Sequence, residues 1–143
     1  MQMKQSTDYV IRCVLCLARK KNREYMTAGE IGTALKVSIP YTRKILLDLR
    51  NADIVNSVQG VNGGYYLKKI PQEITMLDLI RIEDHTIRLN GSPPNDKDRQ
   101  NGSSARIDSY FDRLQDIFEK YLQDATVEDF LSPPVRKTNR KDA

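Results

Sequence analysis

Apolar positions recur with helical spacing from the start of the chain. Tyr9, Cys13 and Leu17 fall four apart, with Val10, Val14 and Cys16 beside them, which makes one apolar face of period 3.6. Ser6 or Thr7 is expected to cap this helix, and Arg19-Lys20-Lys21 to end it where the helix dipole favours cations. Thr27-Ala28-Gly29-Glu30 places Thr at the N-cap and Glu at N3, the two halves of a capping box. It predicts a short helix through Lys36 with Ile31 and Leu35 inward. After a tight turn at Val37, Ser38 caps a third helix reaching Ala52, and Pro40 in its first turn gives up no needed N–H. Ile45, Leu46 and Leu49 are its predicted inward face.

The period then falls from 3.6 to 2. Val55 to Val58 and Tyr65 to Leu67 alternate, flanking Gln59-Gly60-Val61-Asn62-Gly63-Gly64. Asn-Gly-Gly accepts positive φ without steric cost, so a β-hairpin is predicted. Two helices followed by a ribbon with a small-residue tip is the order of a winged helix-turn-helix, a device for holding DNA. An ordinary helix and hairpin in another small domain would read the same over this segment alone.

Beyond Pro71, Thr75-Met76-Leu77-Asp78 is a further cap signature, opening a helix with Leu77, Leu79 and Ile80 inward. Residues 85–105 hold Pro, Gly, Asn and Ser with few apolar positions after Leu89, which predicts a long exposed loop. A clear amphipathic helix follows from Arg106 to Gln123. Ile107, Tyr110, Phe111, Leu114, Ile117, Phe118, Tyr121 and Leu122 keep its rhythm. That apolar face is too wide for so small a domain to cover, so Tyr110, Phe111, Leu114, Ile117, Phe118 and Tyr121 are expected to pack against a second copy of the chain. Thr126 caps a last turn before Pro133-Pro134. The expected organisation is a winged helix-turn-helix over 1–84, a loop over 85–105, a dimerisation helix and closing turn over 106–131, and a basic disordered tail over 132–143. The fold class is therefore mainly α with a two-stranded β wing.

A length of 143 residues suits one small domain with an appended element. The net charge of +4 is unevenly spread. Residues 1–70 hold 12 Lys/Arg against 5 Asp/Glu, a balance of +7, and the remainder carries −3. The half predicted to meet DNA is the basic half, as contact with phosphates requires. No long apolar run and no basic-then-apolar start is visible, so a soluble, cytoplasmic protein with no membrane partner is expected. Two cysteines allow no disulfide framework. Cys13-x-x-Cys16 as a redox motif should open a helix after a strand, whereas it lies mid-helix. One histidine leaves no credible Ser/His/Asp set. An enzyme is not expected.

With these motifs in place the chain resembles a known family, the bacterial winged helix-turn-helix transcriptional regulators of the IscR, NsrR and CymR type, the Rrf2 family. The resemblance covers about Met3 to Leu131. It rests on Tyr9 and its apolar helix, on Ile31, and on Ser38-x-x-Tyr41 followed by Ile45-x-x-x-Leu49-Arg50-x-Ala52. The most specific part is Val55-x-Ser57-x-x-Gly60-x-x-Gly63-Gly64-Tyr65-x-Leu67, with Pro71-x-x-Ile74-Thr75 and Thr126-Val127-x-Asp129 after it. It implies a homodimeric regulator that binds double-stranded DNA, most simply a repressor.

Carried over residue by residue, the resemblance implies that Ser38, Tyr41, Thr42, Arg43 and Lys44 enter the major groove. Ser38 and Tyr41 suit phosphates, and Arg43 or Lys44 a guanine edge. Gln59, Gly60, Asn62 and Gly63 would lie over the minor groove, with neutral Gln59 where the family often has Arg. The best-known members hold an iron–sulfur cluster through three cysteines before the dimerisation helix. Residues 85–105 contain none, so neither a cluster nor any other cofactor is expected. Asp8 stands where one branch of the family draws a carboxylate ligand. A small-molecule effector or a partner protein then becomes the expected signal, with roles for Cys13, Cys16 and His85 left open. The alternative to DNA reading is a winged helix that docks a partner protein or enzyme.

Overall fold

The computed structural model describes residues 2–20, 24–85, 88–89 and 102–131. Its helices are α1 (Gln5–Ala18), α2 (Ala28–Leu35), α3 (Ile39–Asn51), α4 (Met76–Glu83) and α5 (Gly102–Asp124). Between α3 and α4 lies one antiparallel ribbon, β1 (Val55–Val58) and β2 (Gly64–Leu67), paired Val55 with Leu67 through Val58 with Gly64. Mainly α with a two-stranded wing is the fold class expected from the sequence. The tail over 132–143 and most of the expected loop fall outside the described residues.

Three predicted caps hold as drawn. Thr27 and Glu30 close a reciprocal capping box on α2, and Ser38 Oγ accepts from the Tyr41 N–H at 3.3 Å to start α3. Thr75 and Asp78 close a second box on α4. The start of α1 differs. Lys4 is its N-cap with no side-chain capping bond, and Thr7 lies inside the helix, fully buried. The Thr7 hydroxyl donates instead to Asp84 Oδ2 at 2.6 Å, so a residue type suited to capping is spent on tying α1 to the end of α4. Helix α1 also stops at Ala18, with Arg19 as its C-cap. Helix α5 begins at Gly102 rather than Arg106, which takes four residues from the expected loop. Gly and Ser have weak helix propensity, and the strong rhythm downstream carries the helix back through them.

The core is one cluster beneath the helix-turn-helix. Val10, Cys13 and Val14 of α1 meet Ile31 of α2, then Ile45, Leu46 and Leu49 of α3. Val55, Leu79 and Val127 close it from the ribbon, α4 and the C-terminal turn. That turn (Val127–Phe130) returns to α4 through Val127 N–H to Ile74 O and Met76 N–H to Ala125 O, both 2.9 Å. Between α2 and α3, Lys36 takes the left-handed conformation (φ 58°) and Val37 N–H bonds Gly32 O at 3.0 Å. Gly32 is where the helices come closest: a Cβ there would stand 3.0 Å from both Thr42 Oγ1 and Val37 O.

Candidate nucleic-acid interface

Helix α3 divides cleanly by spacing. Thr42, Ile45, Leu46 and Leu49 are buried, while Pro40, Arg43, Leu47 and Arg50 are exposed at steps of three and four. The inner stripe anchors the helix, and the outer stripe is presented to solvent with two guanidinium groups on it. Neither Arg43 nor Arg50 has a carboxylate partner among the described residues, so both charges face outward uncompensated.

The sequence-derived residues separate on this geometry. Ser38 and Arg43 are exposed. Tyr41 is half-buried, its ring edge-on to Tyr9 at 5.7 Å, which fixes the start of α3 against α1. Lys44 is exposed but engaged, 3.1 Å from Asp48 and 3.6 Å from Glu83 of α4. The hydrogen bond to Asp48 raises its pKa and holds it charged. Thr42 departs from the expectation. It is 1% exposed, and its hydroxyl donates to Ser38 O at 2.9 Å, so it seats the helix and presents nothing outward. The reason is position: Thr42 lies three residues before Ile45, on the buried stripe, opposite Gly32.

Sequence reasoning missed Ile39 and Leu47, which stand 46% and 56% exposed on the same outward surface. The signal was present, because isolated apolar residues outside the i, i+3, i+4 set of a helix have nowhere to go but outward. Apolar groups in such a place suit thymine methyls and sugar.

The wing is held from behind. Met26 pairs with Tyr65 through two backbone hydrogen bonds of 3.0 and 2.7 Å, and Lys68 N–H bonds Ile54 O at 2.8 Å. Lys68 also pairs with Asp53, holding that carboxyl below the usual carboxylate range. At the tip, Gly63 N–H bonds Gly60 O at 3.1 Å. Positive φ falls on Gly60 (111°) and Gly64 (156°), not on Asn62 or Gly63 as the Asn-Gly-Gly pattern suggests. Gly63 is required for another reason: a Cβ would lie 2.0 Å from Val58 O. Gln59, Gly60 and Asn62 are exposed, and Val61 is fully so. The tip is neutral.

Helix α5 carries two apolar stripes. Phe111, Phe118 and Leu122 are half-buried, and Phe118 and Leu122 line a cavity shared with α4. Ile107, Tyr110, Leu114, Ile117 and Tyr121 are exposed, from 38% at Leu114 to 77% at Tyr121. Their steps of three and four are heptad spacing. Of the six residues expected at a dimer contact, Tyr110, Leu114, Ile117 and Tyr121 lie on the open stripe. Phe111 and Phe118 do not.

The donor set for an iron–sulfur cluster is poor. Cys13 is buried in the core, its thiol pushed up to about 12 by burial. Burial also raises the Cys16 thiol, which donates to Met26 Sδ at 3.8 Å. Asp8 is occupied by Arg12 at 2.7 Å. His85 is exposed, with Nδ1 3.1 Å from Arg81 O at the end of α4. A thiolate-ligated cluster does not fit a chain with two cysteines, one buried in the core and the other half-buried beside it on the same helix. No helix among the described residues is long and apolar enough to cross a membrane.

Comparison with known proteins agrees with this architecture. Residues 3–133 match the Rrf2 family, described as "Iron-dependent Transcriptional regulator". The chain is similar to the putative HTH-type transcriptional regulator rrf2-like of Rhodobacter capsulatus, 35% identical over 86 residues, which is 58% of this chain and 57% of that protein. It is also similar to the HTH-type transcriptional regulator NsrR of Oceanobacillus iheyensis, 26% identical over 132 residues, 92% of this chain and 90% of that one. Among solved structures, CymR (YrzC), the global cysteine regulator of B. subtilis, has the same fold. Its TM-score is 0.76 at 24% identity, over 92% of this chain and 96% of that one. The chain spans little more than half the length of several curated relatives it matches. These relatives are transcriptional regulators, not enzymes.

Proposed function

The chain belongs to the Rrf2 family of transcriptional regulators, and from that premise we propose that it is a homodimeric DNA-binding repressor that works without an iron–sulfur cluster. The observation that carries the reading is the outward stripe of α3. Arg43 and Arg50 project from a helix whose other side is locked into the core, beside a glycine-tipped ribbon. In this reading Ser38 and Tyr41 meet phosphates at the start of α3, and Arg43 reaches a base edge or a neighbouring phosphate. Lys44 contributes from within its pair with Glu83 and Asp48. Gln59, Gly60, Asn62 and Gly63 approach the minor groove through amides and backbone, since no cation is present at the tip.

The dimer rests on the open seam of α5. Tyr110, Leu114, Ile117 and Tyr121, with Ile107, form an apolar stripe of the kind a second helix covers by knobs-into-holes packing. Repression follows most simply from occupying promoter DNA. The absence of a cluster rests on a donor set of only two cysteines, one buried and one half-buried, whose thiols burial pushes up.

Selection of bound fragments from a random DNA pool, followed by footprinting, tests the whole. The expected product is a two-fold symmetric site with half-sites roughly one helical turn apart, whose protection is lost in Arg43→Ala with Arg50→Ala. No enrichment at low salt, or a footprint indifferent to both substitutions, sinks it. The neutral wing tip with Val61 fully exposed favours a second reading, docking of a partner protein. That reading predicts Val61→Asp to abolish partner capture while DNA binding persists.

A further inference from the structure

Between α4 and α5 lies a partly open cavity of about 220 Å³. That is far above the ~10–15 Å³ a single water requires, and suits a small metabolite. One side is apolar, built from Leu77 and Ile80 of α4 with Phe118 and Leu122 of α5. The other is polar: Arg81 of α4, Asp84 and His85 just beyond its end, and Gln115 and Glu119 of α5. Arg81 Nη2 and Glu119 Oε2 face each other at 3.6 Å, and their side chains are 52% and 41% exposed. That is well beyond the 2.7–2.9 Å of a charge-assisted hydrogen bond, so the pair can open to admit groups between its members at small cost.

We propose that this cavity binds a free amino acid with an apolar side chain and that this ligand is the regulator's effector, an inference that rests on the DNA-binding reading above. The ligand's carboxylate meets Arg81 and His85, its ammonium meets Glu119, and its side chain lies on Leu77, Ile80, Phe118 and Leu122. A molecule bearing only one of the charges would leave either Arg81 or Glu119 unanswered at the site. A peptide end brings only one of them, so the free zwitterion is favoured.

The cavity is wired to the DNA-facing helix. Its Asp84 accepts from Thr7 of α1 at 2.6 Å, and the preceding Glu83 pairs with Lys44 of α3 at 3.6 Å. On the other wall, Gln115 accepts from Leu89 N–H at 2.9 Å and donates to Glu119 at 3.0 Å, which ties the segment after α4 to the carboxylate that receives the ammonium. A ligand seated between Arg81 and Glu119 therefore acts on the one helix whose C-terminus holds both α1 and α3.

Isothermal titration of the full chain with L-leucine, L-isoleucine, L-valine and L-methionine tests this, with isocaproate and isoamylamine as one-charge controls. At least one amino acid should bind saturably, and each control should bind about tenfold or more weakly than leucine. Arg81→Gln and Glu119→Gln should each weaken the amino acid about tenfold, while the remote Lys69→Gln leaves it unchanged. Circular dichroism of the variants establishes that they fold. Absence of heat with all four amino acids overturns the proposal, as does equal binding of a one-charge control or indifference to both substitutions. The same preparations are titrated with the selected DNA: intact DNA binding without an amino-acid response sinks only this inference. Amino-acid binding without any DNA binding sinks the regulatory reading and leaves a bare ligand site.

Discussion

Replacing Ile117 by Asp separates a dimer seam from a face that serves only its own chain. Ile117 is 59% exposed in the single chain, so the fold loses little when it changes. Fully burying an Ile side chain is worth about 1.5–3 kcal/mol, and the part still open to a partner is then roughly 1–2 kcal/mol. A two-fold contact counts the change once in each protomer, which gives about 2–4 kcal/mol before the carboxylate's own desolvation is added. At 1.4 kcal/mol per decade, the dimer should weaken by roughly 30-fold to 1,000-fold. Sedimentation equilibrium over a dilution series reads the constant, and far-UV circular dichroism should report unchanged helix. Phe111→Asp is a poorer probe, because Phe111 is half-buried against its own chain and edge-on to Tyr110 at 5.5 Å. A dimer constant for Ile117→Asp within about threefold of the parent, well under a decade's worth of free energy, would refute the seam and move the interface elsewhere.

The other expected outcomes follow from single contacts. Arg43→Ala should cost about 1–3 kcal/mol of operator affinity and relax preference at one position if it meets a base, or lower the salt slope by about one if it meets a phosphate; a titration across salt concentrations distinguishes them, and no change in either removes it. Gly63→Ala forces a Cβ to within 2.0 Å of Val58 O, so the wing must rebuild and urea melts should show a loss of about 1–3 kcal/mol. Thr7→Val leaves Asp84 without its 2.6 Å donor inside the α1–α4 contact, with an expected loss of about 1–3 kcal/mol by the same measurement. Cys13 titrates higher folded, near 12, than unfolded, near 9.0. The unfolded chain therefore sheds its proton first, and stability falls as pH climbs from 9.0 toward 12. Cys13→Val should flatten that window, and an unchanged slope would show the thiol contributes nothing there.

What could be read from the sequence was whatever local chemistry decides. Capping boxes at Thr27 and Thr75, the cap at Ser38 and the alternation at Val55 each fix a boundary within a few residues, so these elements were legible. Thr7 was not, because its partner Asp84 lies 77 positions away and no local pattern announces it. Thr42 was misplaced for a related reason: motif matching names consecutive residues, but a helix shows a partner only those at three and four, and Thr42 shares its stripe with Ile45 and Leu49. The two stripes of α5 were visible as one wide face. Only the packing of α4 reveals that Phe118 and Leu122 are satisfied within the chain while Ile117 and Tyr121 are not.

That arrangement gives α4 a place out of proportion to its eight residues. Its N-terminus is clasped by the C-terminal turn, its C-terminal Glu83 holds Lys44 of α3, Asp84 just beyond holds Thr7 of α1, and Arg81 faces Glu119 of α5. An exposed ion pair such as Arg81–Glu119 is worth little to stability, typically under 1 kcal/mol, and Lys44–Glu83 spans 3.6 Å with its lysine exposed. Small energies are what a switch needs, since a ligand can move an equilibrium only by its differential affinity for the two states. The part-buried Thr7–Asp84 bond ties the end of α4 to α1, and the weaker pairs of Arg81 and Glu83 lie just before it. Coupling of α5 to α3 through α4 is what the effector reading requires. Double-mutant cycles between Arg81 and Lys44 measure this directly, with DNA affinity as the readout: strict additivity would leave the two helices independent and α4 merely structural.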